Sequence, residues 1–241
     1  MAIALVGSEG TVATGTTSAA PTFAQPTTAG NLLVLWVMSA DGIDGGWTGL
    51  SSWTLAKAQT GNSGSQRGTA GIFYIANCGT GVSAPTPTAA NASFTAAKLN
   101  EYSGAATTLV LEKTSAYLGG TSSPQTVATT AADAASGDLV TTILSFFGTA
   151  GTMTISDVLN NGATTNNVND AATSNGNHYD FSWGVTTSNG SADQTVCTFT
   201  HTGSVLEIDA VAISFIATGP PPPQQSHQSA TVVSVGSGRG A

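Results

Sequence analysis

The sequence predicts an all-β chain: a jelly-roll-like β-sandwich of about ten strands, built from two internally duplicated halves, with an extended Pro-rich C-terminal tail. Three observations predict it. The 241 residues include 36 Ala, 29 Gly, 26 Ser and 38 Thr, and only 7% are charged. Thr, Ser, Gly and Asn are poor helix formers, and the Glu/Lys pairs that support exposed helices are missing. Apolar residues come in strand-length runs separated by turn chemistry. Finally, the features of the first half return in the same order in the second.

The strands follow in order. Ala2–Val6 is short. LLVLWVM (Leu32 to Met38) is a near-continuous apolar run between Gly30 and Gly42, which suits a central strand covered on both faces. Trp53–Gln59, Gly71–Ala76, Ala92–Tyr102, Thr108–Lys113, Val127–Thr129, Leu139–Phe147, Tyr179–Thr187, Thr195–His201 and Leu206–Ile216 follow. Asn161-Gly162, Asn175-Gly176 and Asn189-Gly190 are hairpin dipeptides. VTTSNGSADQTVCTF reads as a hairpin with Asn189-Gly190 at its tip.

The duplication is specific. AGNLLVLWVMSADG resembles SGDLVTTILSFFG, with Gly30 matching Gly137 at an offset of 107. GIFYIA around Phe73 matches YDFSWG around Phe181, and ASFTA at Phe94 matches CTFTH at Phe199. In the closing strands Leu99 and Tyr102 are three apart, as are Ile208 and Val211. Strict alternation requires an even gap, so a β-bulge is expected at Asn100-Glu101 and at Asp209-Ala210. Each half is thin in large apolar residues. One sandwich with a shared core is therefore expected over residues 1–217, with pseudo-repeats at about 24–104 and 131–217. Two separate small sandwiches are the alternative.

Composition also bounds function. Five Lys and Arg against thirteen Asp and Glu give a net charge of −8. That is too few cations for a phosphate-binding stripe, so no nucleic-acid partner is expected. No run reaches the ~18 apolar residues of a membrane helix, so no membrane insertion is expected. MAIALVGSEG lacks a basic n-region and is not read as a secretory signal. Cys78 and Cys197 could form one bridge; two lone, half-buried thiols are the simpler expectation.

No catalytic signature is found, and a non-enzymatic role without cofactors is expected. Gly-x-Ser-x-Gly does not occur, and His178, His201 and His227 lie apart in the chain. For a metal the candidates are Asp41 and Asp44 in ADGIDGG, whose two carboxylates suit calcium. Calcium needs six to eight oxygens, so a solvated turn is the expected role. Glu207 and Asp209 share one strand face about 6–7 Å apart. They are read as edge or bulge charges that discourage aggregation, not as a two-carboxylate glycosidase pair. Glycan-contact candidates are Trp47 and Trp53, flanking the loop GGWTGLSSW, and Tyr117 in AYLGGTSS. Trp53 is also a natural core anchor.

From residue 218 the composition changes. GPPPPQQSHQ places Pro220, Pro221, Pro222 and Pro223 in a stiff polyproline II spacer. ATVVSV follows, and its Val232-Val233 pair could add to a neighbouring sheet. Residues 218–241 are read as a partner-anchoring tail.

Several segments together resemble a β-sandwich domain of tailed-bacteriophage virion proteins, especially minor tail proteins. They are GNLLVLWVMSADG, the Ser-Trp-Thr-Leu of SSWTLAKAQ, GIFYIA, ASFTAAKLNEYSG with Tyr102-Ser103-Gly104, and the second-half SGDLVTTIL. The likeness covers roughly residues 20–217. The second half departs from it: Ser156-Asp157-Val158-Leu159 stands where a Trp-Thr-Leu would. The resemblance implies a virion building block, made in the host bacterial cytoplasm, and brings no catalytic residues. A minor tail or tail-tip protein exposed on the particle is expected, partnered by other virion proteins and homo-oligomeric in a symmetric assembly, a trimer being one candidate. A capsid decoration or head-fibre protein is one alternative. A carbohydrate-binding adhesin module that meets a host-surface glycan is another.

Overall fold

The computed structural model describes residues 2–40, 46–61, 68–119, 125–128, 136–148, 153–154, 164–168, 178–188, 196–201 and 205–218. Among these there are strands and no helix. In chain order the strands are β1 (Ala4–Leu5), β2 (Val12–Gly15), β3 (Leu32–Ala40), β4 (Thr54–Thr60), β5 (Gly68–Ile75), β6 (Phe94–Ser103), β7 (Leu111–Gly119), β8 (Gln125–Ala128), β9 (Leu139–Gly148), β10 (Met153–Thr154), β11 (Thr164–Val168), β12 (His178–Thr187), β13 (Val196–His201) and β14 (Val205–Phe215). Every pairing among them is antiparallel.

The first half makes one sheet, in the order β1-β6-β3-β5-β4 with β2 also on β6. The second half makes another, in the order β7-β14-β9-β12-β11. These orders are the same once β3 is matched with β9, β5 with β12, β6 with β14 and β4 with β11. Strands β10, β13 and β8 form a small third sheet.

The two main sheets pack face to face around one core. It contains Leu32, Val34, Trp36 and Met38 from β3 and Leu139, Ile143 and Phe147 from β9, with Tyr179, Phe181, Trp183, Val211, Ile213 and Phe215 beside them. The sandwich is therefore shared between the halves, and separate small sandwiches are not formed. Packing is reciprocal. Tyr74 of β5 meets Phe215 of β14 edge-on at 5.4 Å. Phe94 of β6 stacks on Tyr179 of β12 at 5.5 Å. At the centre, the Trp36 indole N–H donates to Thr141 Oγ1 at 2.8 Å. That is the pattern of an isologous dimer interface, here within one chain.

The alternate residues of β3 are buried too. Leu33, Leu35 and Val37 join a second cluster with Leu50, Trp53, Phe73, Cys78, Ala97 and Leu99, under the connecting segments of the first half. This is why LLVLWVM is apolar on both faces. On the second sheet Val140, Leu144, Phe146 and Ala212 are likewise at most 1% exposed.

Double burial corrects the bulge expectation. The β3–β6 pairing runs without a shift through Asn100 and Glu101. On β14 the shifts fall between Val205 and Glu207 and between Ser214 and Phe215, not at Asp209-Ala210. Leu99 faces the outer cluster and Tyr102 the inner one. An odd gap between apolar residues needs no bulge when both faces are covered. Asn189-Gly190 lies outside the described residues, and the strands on either side of it do not pair with each other as the predicted hairpin requires. β12 pairs with β9 and β11, whereas β13 pairs with β8 and β10. The Phe94–Phe199 match fails for the same reason, because Phe94 opens β6 and Phe199 lies in β13.

The Gly-(Asn/Asp)-Leu match has a physical basis. Gly30 (φ +89°) and Gly137 (φ +101°) both take a left-handed conformation that favours glycine. Gly30 N–H donates to Cys78 O, and Cys78 N–H donates back to Asn31 O. Gly137 and Asp138 make the same exchange with Ser188. The side chains then tie down the closing strands. Asn31 Nδ2 donates to Glu101 Oε1 at 2.6 Å, and Asp138 Oδ1 accepts from Ala217 N at 2.7 Å.

Candidate functional site

The candidate site lies in the end layer of the sandwich where β3 finishes and β5, β6, β12 and β14 begin. In the first sheet Ala40 pairs with Gly68 on one side and Phe94 on the other. In the second sheet Phe147 pairs with Tyr179 on one side and Glu207 on the other. The sheets face each other so that Phe94 meets Tyr179 and Gly68 meets Glu207.

The Gly68 side is acidic. Glu207 and Asp209, two apart on β14, project onto the inner face and are 3% and 0% exposed. β14 lies between β7 and β9, and Asp209 pairs with Leu118 on one side and Ser145 on the other, so it guards no open edge. Glu207 pairs with Phe147 of β9 beside the register shift that follows Val205, which is the bulge position of the two expected, edge or bulge. The Gly68 N–H donates to Glu207 Oε1 at 2.8 Å. Ser145 of β9 donates to Asp209 Oδ2 at 3.5 Å. Asp209 also hydrogen-bonds Glu207. Burial pushes the Asp209 carboxyl up to about 9, and the neighbouring Glu207 adds to the rise while Ser145 opposes it. Carboxyls in mutual contact are too close for a glycosidase pair, which needs room for substrate or water between them.

Glycines make space for the pair. A Cβ on Gly61 would fall 1.6 Å from the Glu207 carboxyl carbon, and one on Gly68 would fall 2.7 Å from Asp209 Oδ2. The carboxyls fill this space themselves. Among the described residues no group of three or more His, Cys, Asp or Glu is arranged to hold a metal ion.

The other candidates are dispersed. Asp41 and Asp44 lie outside the described residues, as do Pro220, Pro221, Pro222, Pro223, Val232 and Val233. Trp53 is 8% exposed, in the outer cluster of the first sheet. Trp47 is half-buried on the same face. It meets Phe73 edge-on at 5.6 Å, its N–H donates to Ser39 Oγ at 2.5 Å, and it roofs Gly71. Tyr117 lies in β7, opposite Ala210 of β14. Cys78 is a free, buried thiol that donates to Thr28 O at 3.2 Å, and burial pushes its pKa up.

Sequence reasoning did not anticipate two polar features of the interior. One is Ser145 with Gly61 and Gly68 around the acid pair. The other is Lys98, 3% exposed, which bonds Glu9 Oε2 at 2.8 Å and Gly10 O at 2.6 Å and lies 4.9 Å from the Trp183 ring centre. The available signal was position: Lys98, Glu207 and Asp209 all interrupt apolar strands. No family model, curated protein or solved structure matches this chain.

Proposed function

We propose that the protein is a non-enzymatic structural component of a tailed-bacteriophage particle, a minor tail or tail-tip protein displayed on the virion. One observation carries this reading: the motifs that resemble phage virion sandwiches do architectural work here. Gly30-Asn31 and Gly137-Asp138 anchor the first strand of each half to its neighbours. Trp53 and Phe73 fill the outer cluster. Tyr102 enters the shared core, and Gly104, at φ +82°, turns the chain out of β6. A sandwich closed by reciprocal contacts and covered on its outer faces suits a part that is held and displayed. Its partners in this reading are other virion proteins, met as repeated copies in a symmetric assembly. The tail from residue 219 is the proposed anchor.

The test is the protein's copy number in purified particles, by quantitative mass spectrometry. A handful to a few tens of copies supports a tail component. Hundreds indicate capsid decoration, and absence from the particle overturns the reading. Deleting residues 219–241 is expected to abolish incorporation while the thermal transition of the sandwich is retained. A truncated chain that still incorporates refutes the anchor.

A further inference from the structure

We propose that the end of the sandwich where the chain passes into its tail is the face that meets the particle, and that Leu109 is the anchor of that face, a knob that enters an apolar socket beside an open sheet edge of another virion protein. The inference rests on the virion reading above and names the surface and the chemistry of its partner.

Leu109 is 89% exposed, the most exposed large apolar side chain among the described residues. An exposed leucine alone is ordinary. This one also has φ +50°, in the left-handed region where a bulky side chain is strained and glycine is favoured. The next residue, Val110, is buried in the shared core. A glycine at 109 would make the same turn without strain and without apolar surface in water. Side chain and backbone both act against the free protein here, and a partner that covers the leucine accounts for both.

The turn that presents Leu109 is clamped. Ala106 N–H donates to Ile216 O at 2.9 Å, and Ile216 N–H donates to Val110 O at 2.8 Å. Ala105 bridges Ala217. The leucine is therefore held in position before any partner arrives, which lowers the cost of ordering it on binding.

The same segment starts the tail. Thr218 donates to Gly104 O from its N–H at 2.7 Å and from its hydroxyl at 3.1 Å. From there the chain continues into residues 219–241, outside the described residues. Leu5, 38% exposed, stands at this end too, opposite Tyr102 on β6. Residues 104–110 and 219–238 contain no Asp, Glu, Lys or Arg. Recognition is therefore apolar and through backbone, not ionic. Eleven residues separate Thr218 from Ala230, where ATVVSV begins, a reach of at most about 40 Å. One partner within that reach takes the Val232-Val233 strand on its sheet edge and Leu109 in the socket beside it, and tethering strengthens both contacts.

The experiment replaces Leu109 in the phage, counts this protein per purified particle by quantitative mass spectrometry, and follows the thermal transition of each purified variant. Glycine accepts the left-handed backbone, so the midpoint of Leu109→Gly is expected to hold or rise. Its copies per particle are expected to fall at least about fivefold, the scale of losing an interface anchor. Leu55→Ser trims a leucine that is 50% exposed on β4, at the opposite edge of the first sheet from β1, and is expected to incorporate normally. Full incorporation of Leu109→Gly, where the unaltered chain is present in particles, overturns the anchor and leaves the virion reading standing. A lowered midpoint in Leu109→Gly, or an equal loss of copies in Leu55→Ser, overturns it as well. Absence of the unaltered chain from particles overturns both readings. Leu109→p-benzoylphenylalanine, a photo-cross-linking substitution, identifies the occupant. Cross-linking to another virion protein supports the proposal, and cross-linking to a second copy of this chain alone, or to nothing, overturns it.

Discussion

Phe94 and Glu207 occupy equivalent places in their sheets. Phe94 pairs with Ala40, and Glu207 pairs with Phe147, which lies 107 residues after Ala40. That is the same offset as Gly30 to Gly137. Two residues along, Ala96 pairs with Met38 and Asp209 with Ser145, again 107 apart. One corner of the end layer is closed by stacked aromatics: Phe94 on Tyr179, and Phe147 on Tyr179 at 5.1 Å. The matching corner is closed by an acid pair against two glycines. Aromatic packing gives stability that is insensitive to pH. A carboxyl pair in the same geometric role brings a titratable group, Asp209, raised by burial and by Glu207. One backbone frame thus carries an aromatic contact at one corner and an acid contact at the other.

The comparison predicts the largest cost for emptying the aromatic corner. Tyr179 is fully buried, stacks on Phe94 and Phe147, and bonds Ser93 Oγ at 2.9 Å. Tyr179→Ala removes a large aromatic from the centre of the layer. It is expected to cost about 3–5 kcal/mol, the usual range for large-to-small changes at buried aromatics. Urea denaturation checks the value, and the loss should be the same at pH 6 and pH 9. A loss that depends on pH would mean the aromatic corner is coupled to the acid one, and the two would not be independent devices.

Crowding the acid corner is the intermediate case. Gly61→Ala places a methyl where the Glu207 carboxyl now sits. Glu207 can retreat only by abandoning Gly68 N–H, so the expected cost is about 1–3 kcal/mol, as for overpacked interiors. The substitution should also lower the carbon-13 titration midpoint of the Asp209 carboxyl, because it displaces Glu207, which helps to raise it. An unchanged midpoint in Gly61→Ala would show that contact with Glu207 is not what raises it.

Much of this fold was legible in the sequence, because the strongest signals were backbone requirements. Gly30-Asn31 and Gly137-Asp138 announce a positive φ followed by a polar side chain that ties down another strand. LLVLWVM announces a strand covered on both sides. Register was not legible. Phe73 faces the outer cluster and Phe181 the inner one, although their motifs look alike. Alternation reports a face only when one face is wet, and here both sheets are covered twice. The same covering hid the acid pair. Glu207-Ile208-Asp209 reads as a charged strand end by composition, and nothing local shows that two sheets meet over it. Its position inside LEIDAVAISF, seven apolar residues, one serine and two acids without a turn signal, was the clue. β11 (TTNNV) went unpredicted because its residues carry almost no apolar pattern.

Ser145 offers the finest adjustment of the acid corner. Its hydroxyl reaches Asp209 Oδ2 at 3.5 Å, a long contact, and it favours the charged form of that carboxyl. Ser145→Ala should therefore change neutral-pH stability by no more than about 0.5–1 kcal/mol, the scale of a weak hydrogen bond. Its effect should fall on the titration instead. Without the donor the Asp209 anion is less well solvated, so the carbon-13 midpoint is expected to move further upward. A downward move would mean that Ser145 accepts from protonated Asp209 rather than donating to it. The acid corner would then be a three-membered relay, and its likeness to the aromatic corner would end at the backbone.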